Sequence, residues 1–173
     1  MFQVWLTKHV CKLAGTNQQF SHWKENVNDP MCPCCGKAVK ITMHITHCSD
    51  PNRRQMFCRS ASNLTTWMAG SLVNPVLIDM VEQYLCAQGE RTMLNCLTLH
   101  TPNLVRRAEE SDGLHWDSFL EERISKRWLD IMKPGLLAST TRLTPTRWET
   151  QFIKLLLKIT YKLWLFRNSE VHF

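Results

Sequence analysis

Residues 144–168, TPTRWETQFIKLLLKITYKLWLFRN, decide the fold class of this chain. Thr144-Pro145 reads as an N-cap followed by proline at the first helical position, where the missing N–H costs no hydrogen bond. Glu149 falls in or close to the first turn, where negative charge suits the helix dipole. Trp148, Phe152, Leu155, Leu156, Ile159, Leu163 and Phe166 then recur at three- and four-residue steps, and Ile153, Leu157 and Trp164 widen the stripe to nearly two faces. A helix that is apolar on two faces belongs at the centre of a bundle. Lys154, Lys158 and Lys162, each four apart, form what remains. They read better as the solvated side of this helix than as a track for phosphates.

Working outward, the same period governs most of the chain. Phe2 to Leu13 is compatible with a short helix closed by Gly15. Thr16 to Pro30 is polar and turn-rich, with Phe20 and Trp23 as anchors. Asp50-Pro51 marks a helix entrance, and a helix to about Ala69 carries Met56, Phe57, Leu64, Trp67 and Met68 inward before Gly70. Asn74-Pro75 opens the next, with Val76, Leu77, Met80, Val81, Tyr84 and Leu85 on its apolar face and Gly89 as its stop. A shorter helix is expected over Arg91 to Leu99, and another from Thr101-Pro102 toward Glu110. Asp117 reads as the N-cap of Ser118 to Met132, closed by Lys133-Pro134-Gly135.

Between the first two helices lies a different kind of sequence. Cys32-Pro33-Cys34-Cys35-Gly36-Lys37 is followed by Val39, Ile41 and Met43 alternating with Lys40, Thr42 and His44, the pattern of a short strand or hairpin. His44 and Cys48 are four apart, on one face if a helical turn begins there. The pattern C-x2-C-x8-H-x3-C supplies three sulfurs and one nitrogen, the ligand set of a structural zinc site. Two substitutions within the set stay open. Cys34 could replace Cys35, leaving one residue between the thiolates, and His47 could replace His44, placing it directly beside Cys48. A Cys-Pro-x-Cys thiol oxidoreductase is a third reading, but it needs a strand before the motif and a helix after it, and Asn26 to Met31 is polar. A zinc deaminase would need a His-x-Glu triplet, and the sequence has none.

Composition bounds these readings. A chain of 173 residues with 44% hydrophobic residues can build a core without disulfides, so clustered cysteines point to metal rather than to a secreted scaffold. Cys11, Cys58, Cys86 and Cys96 are scattered among helical patterns and read as buried thiols. No apolar run reaches the ~18 residues of a membrane span, and the N-terminus lacks the features of a secretion signal. The expectation is an intracellular protein, of cytoplasm or nucleus, without a membrane partner. Net charge is +5 over residues 1–60, −4 over 61–130 and +5 over 131–173. Any surface for a polyanion should therefore come from the two ends.

The metal pattern resembles the zinc-binding module that follows the polymerase domain in reverse transcriptases of non-LTR retrotransposons. The likeness extends to the tail region of retrotransposon-derived reverse-transcriptase-like proteins of diatoms and related protists. It is carried by Thr7-Lys8-His9-Val10, Trp23-Lys24, Cys32-Pro33-x-Cys35-Gly36, His44, Cys48 and Pro51-x-Arg53. It continues through Trp67, Trp116-x-x-Phe119, Arg123-Ile124-Ser125, Trp128 and Trp148 to Trp164-x-x-Arg167-Asn168 and His172. Two positions depart from the pattern, where His115 precedes Trp116 and where Glu121-Glu122 stands in place of a more usual glycine. The Asp-Asp pair of a polymerase active site is also missing from the sequence.

The resemblance implies a non-catalytic accessory domain that holds RNA or DNA near an active site supplied by the polymerase part of a longer retroelement protein. Basic residues around the zinc module, Lys37, Lys40, Arg53, Arg54 and Arg59, are the expected phosphate contacts. Trp23 reads as a core anchor before it reads as a base-stacking platform. Arg167 and Asn168 read as fastening the end of the last helix before they read as a nucleic-acid contact. The competing expectation is a zinc-stabilised scaffold that binds protein through its acidic middle, Glu109-Glu110 to Asp130. The fold expected is mainly α: a helical bundle over 51–173, packed as one compact unit with a zinc-knuckle-like module in 1–50.

Overall fold

The computed structural model describes residues 2–10, 31–32, 34–37, 44–71, 73–120, 130 and 144–171. These residues are mainly helical, and no strand element occurs among them. The helices are α1 (Phe2–Val10), α2 (His44–His47), α3 (Pro51–Gly70), α4 (Pro75–Ala87), α5 (Pro102–Leu114), α6 (Trp116–Leu120) and α7 (Pro145–Val171), with a 3-10 turn at Leu94–Cys96. The alternation expected to make a strand over 39–43, the anchors Phe20 and Trp23, and Lys40 all lie outside the described residues.

The helix starts follow from their caps. Asp50 Oδ1 accepts from the Arg53 backbone N–H at 2.8 Å, and the Asp50 carbonyl accepts from Arg54 at 2.9 Å, which fixes the first turn of α3. Asn74 Oδ1 does the same for Val76 at 2.9 Å, ahead of Pro75 at the first helical position. Thr144 Oγ1 accepts from Arg147 at 3.3 Å, and α7 then runs 27 residues to Val171.

Three boundaries differ from the sequence reading. At the end of α4 the left-handed turn begins one residue early, at Gln88 with φ 49°, and Gly89 follows with φ 84°. In place of a helix over Arg91 to Leu99 there is a single 3-10 turn. The Asp112 carboxylate takes the Met93 and Leu94 N–H groups at 2.6 and 3.0 Å, so the backbone is held by a distant side chain instead of by its own ladder. Asp117 is not an N-cap. It lies inside α6, which starts at Trp116 directly after His115 turns the chain with φ 65°.

The chain divides into two compact units. One comprises Phe57–Ile159, and the other joins Met1–Met56 to Thr160–Phe173. The first of these has an aromatic core in which Tyr84 meets Trp116 and Phe119 edge-on, Phe57 lies beside Trp116, and Trp148 stacks on Trp67 and Phe152. Leu64, Met68, Leu77, Met80, Leu85 and Leu156 are fully buried around it. In the second unit α1 supplies Phe2 and Trp5, whose rings pack on Tyr161 of α7 at 5.2 and 5.0 Å. The helices α3 and α7 contribute residues to both units. Lys154, Lys158 and Lys162 are exposed, as a solvated stripe requires.

Candidate metal centre

The terminal unit brings four side chains from a turn and a short helix to one place. Gly36 N–H donates to the Cys32 carbonyl across 2.7 Å, closing a turn that puts Cys32 and Cys35 on the same side. Gly36 has φ 62°, a conformation that glycine adopts without strain. Helix α2 begins at His44, so His44 and Cys48 emerge one turn apart. The Asp50 cap then starts α3 immediately behind them.

The four ligand atoms, three Sγ and one imidazole nitrogen, all lie within 4.8 Å of one another. Cys32 Sγ and Cys48 Sγ are 3.8 Å apart, and Cys35 Sγ is 3.3 Å from His44 Nε2. A tetrahedral zinc ion with Zn–S of about 2.3 Å and Zn–N of about 2.0 Å would set sulfurs about 3.8 Å apart and sulfur from nitrogen about 3.5 Å. The donor set and its spacing therefore fit zinc with little movement. Cys32 and Cys48 are buried, while Cys35 and His44 are half-buried. Of the two alternatives left open by the sequence, Cys34 and His47 both lie outside the four-atom group, and His47 is exposed.

The thiols are electrostatically unequal. Burial pushes Cys48 up to about 12, with the neighbouring Cys32 sulfur adding to the effect and the Arg53 charge opposing it. At Cys32 burial also acts upward, but the backbone N–H groups of Cys35 and Cys34 and the thiols of Cys48 and Cys35 outweigh it and lower the value. Of these two thiols, Cys32 is the more readily ionised.

Not all of the expected phosphate contacts are placed where phosphate can reach. Lys37, Arg54 and Arg59 are exposed. Arg53 is 2% exposed and ranks among the largest fully buried side chains, so it is an interior residue and not a surface contact. Arg167 of α7 is equally buried. Burial, with the Arg53 charge adding, lowers Arg167 to about 10, while Cys32 and Cys34 act in the opposite direction. The two arginines and the cysteine cluster therefore share one electrostatic environment. The sequence held a signal for this. Arg53, Phe57, Leu64 and Met68 fall on one face of α3, and Trp148, Phe152, Leu156, Thr160, Leu163 and Arg167 on one face of α7.

No family model, curated protein or solved structure matches the chain. The class that fold and site define is a mainly helical protein with a Cys3His cluster close enough to bind a metal ion. No helix among the described residues is long and apolar enough to cross a membrane.

Proposed function

We propose that Cys32, Cys35, His44 and Cys48 hold one structural zinc ion, and that the unit it organises is a non-catalytic, nucleic-acid-binding accessory domain of the retroelement reverse-transcriptase-like kind. The observation that carries the zinc reading is the approach of all four ligand atoms to within 4.8 Å of one another. Three thiolates and an imidazole fill a tetrahedron, which leaves no position for an activated water, so the ion's role is architectural. The nucleic-acid reading rests on the sequence resemblance and on the exposed cations Lys37, Arg54 and Arg59 beside and after the cluster. Binding through them would be electrostatic, salt-dependent and weakly sequence-specific.

Metal analysis with thiol titration on purified protein tests the first half, with one zinc per chain expected. A correctly folded chain without metal would overturn it. Titration of labelled single-stranded RNA and duplex DNA at about 50 mM salt and again at about 200 mM tests the second half. Binding that weakens steeply with salt is expected, and weakens further when Lys37, Arg54 and Arg59 are changed to Gln. Zinc binding without affinity for either polymer at the lower salt would overturn the nucleic-acid role and favour a protein-binding scaffold.

A further inference from the structure

A groove of about 480 Å³ is lined by α3 and the first turns of α7, and its described lining residues are Trp67, Thr146, Arg147, Thr150, Gln151 and Lys154. All six belong to the unit Phe57–Ile159, whereas the cysteine cluster belongs to the other unit. Trp67 stacks on Trp148 at 5.2 Å and Trp148 on Phe152 at 5.1 Å, with both of the latter buried. Trp67 is therefore the outer ring of a stack, and it stays half-buried where it lines the groove. A ring held in this way gives up little freedom when something packs on it. Arg147 and Lys154 are exposed, and neither has an ion pair among the described residues. They are separated by about 10.5 Å of rise along α7, with half-buried Gln151 between them. No carboxylate occurs among the described lining residues.

We propose that this groove binds one unpaired nucleotide of a single strand, its base packed on Trp67 and the flanking phosphates at Arg147 and Lys154. The proposal deepens the nucleic-acid reading above and rests on it, but it does not rest on zinc. Every base has a flat π-face that an aromatic side chain can stack on, and Lys and Arg neutralise the phosphates on either side. The groove lies within the ~300–1,000 Å³ of ordinary small-ligand sites, which suits a single nucleotide. Gln151 carries both a donor and an acceptor between the two cations, where it can meet the polar edge of a base. Bases inside a duplex are already stacked and paired, so an indole cannot take one without opening the helix. The groove therefore confers a preference for single strands that the exposed cations Lys37, Arg54 and Arg59 do not supply.

The test titrates labelled oligouridylate and a duplex DNA of equal length into the full chain over a series of salt concentrations. Wild type is compared with Trp67→Leu, Trp67→Phe and the double variant Arg147→Gln/Lys154→Gln. Wild type is expected to prefer the single strand. Trp67→Leu should weaken single-strand binding about 10-fold, the loss of one base–aromatic stack, and Trp67→Phe should recover most of it. The double variant should weaken the single strand and lower its slope against log salt by about 1.4, the share of two phosphate contacts. Duplex affinity should be unchanged in all three. If Trp67→Leu does not fold, the double variant decides, because both of its side chains are exposed. An unchanged single-strand affinity and salt slope in the double variant would overturn the groove while leaving the nucleic-acid reading standing. Uridine monophosphate that displaces the oligomer as effectively as an equal concentration of unlabelled oligomer would overturn the strand as occupant in favour of the free nucleotide. A wild type that binds neither polymer at about 50 mM salt would overturn the nucleic-acid reading itself, and the proposal with it.

Discussion

At the scale of single residues, the ligand set turns on the difference between Cys34 and Cys35. The turn closed by Gly36 N–H on the Cys32 carbonyl leaves Cys35 Sγ in the four-atom group with Cys32 Sγ and Cys34 outside it. The same logic separates His44, at the start of α2, from His47, which is exposed at its end. Cys34→Ser and His47→Ala should therefore each retain one zinc per chain, whereas Cys35→Ser and His44→Ala should each lose it, as read by metal content after gel filtration. Retention by Cys35→Ser with loss by Cys34→Ser would reverse the assignment. The four chosen ligands were legible in the sequence because turn and helix geometry impose the two- and three-residue gaps. Arg53 was misread because two adjacent arginines look alike in a charge count. Only their places on the face of α3 tell them apart: Arg53 lies four residues before buried Phe57, and Arg54 is turned away from that stripe.

At the scale of elements, most helices were legible from their starts. Asp50, Asn74 and Thr144 each precede a proline and each caps its first turn by a local side-chain bond. The segment after Gly89 was not legible, because what shapes it comes from 18 and 19 residues further on. Asp112, near the end of α5, accepts the backbone N–H groups of Leu94 and Met93. A periodicity argument reads apolar Met93, Leu94, Leu97 and Leu99 as a helix face. It has no means of seeing a carboxylate that claims the first N–H groups from outside. Met93 is fully buried, so losing this acceptor strands donors that water reaches poorly. Asp112→Ala should cost about 2 kcal/mol in urea unfolding of the zinc-saturated protein. Asp112→Asn, which keeps one carbonyl acceptor, should cost less. A change below about 0.5 kcal/mol in Asp112→Ala would mean that solvent satisfies both groups.

At the scale of the whole molecule, the cysteine cluster belongs to one of the two units only. The unit of Phe57–Ile159 buries a large set of apolar side chains around Tyr84, Trp116, Phe119, Trp148 and Phe152, enough for a conventional core. Among the described residues of the terminal unit, the buried set is mixed. It holds Trp5, Ile45 and Leu163 with Cys32 and Cys48, and alongside them the polar Thr46, Arg53, Thr160 and Arg167. The proposed zinc centre would supply folding free energy to this unit directly. Removing zinc with a strong chelator should therefore act unevenly, and hydrogen exchange resolved along the sequence can read the pattern. Exchange is expected to accelerate over 2–10, 44–56 and 160–171, and to change little over 75–120. Within α7 the boundary should fall near Thr160, so that one continuous helix is protected toward Pro145 and exposed toward Val171. Uniform acceleration across both units would mean that the chain unfolds as a single cooperative body, and an unchanged pattern would mean that the cysteine cluster contributes no stability through metal.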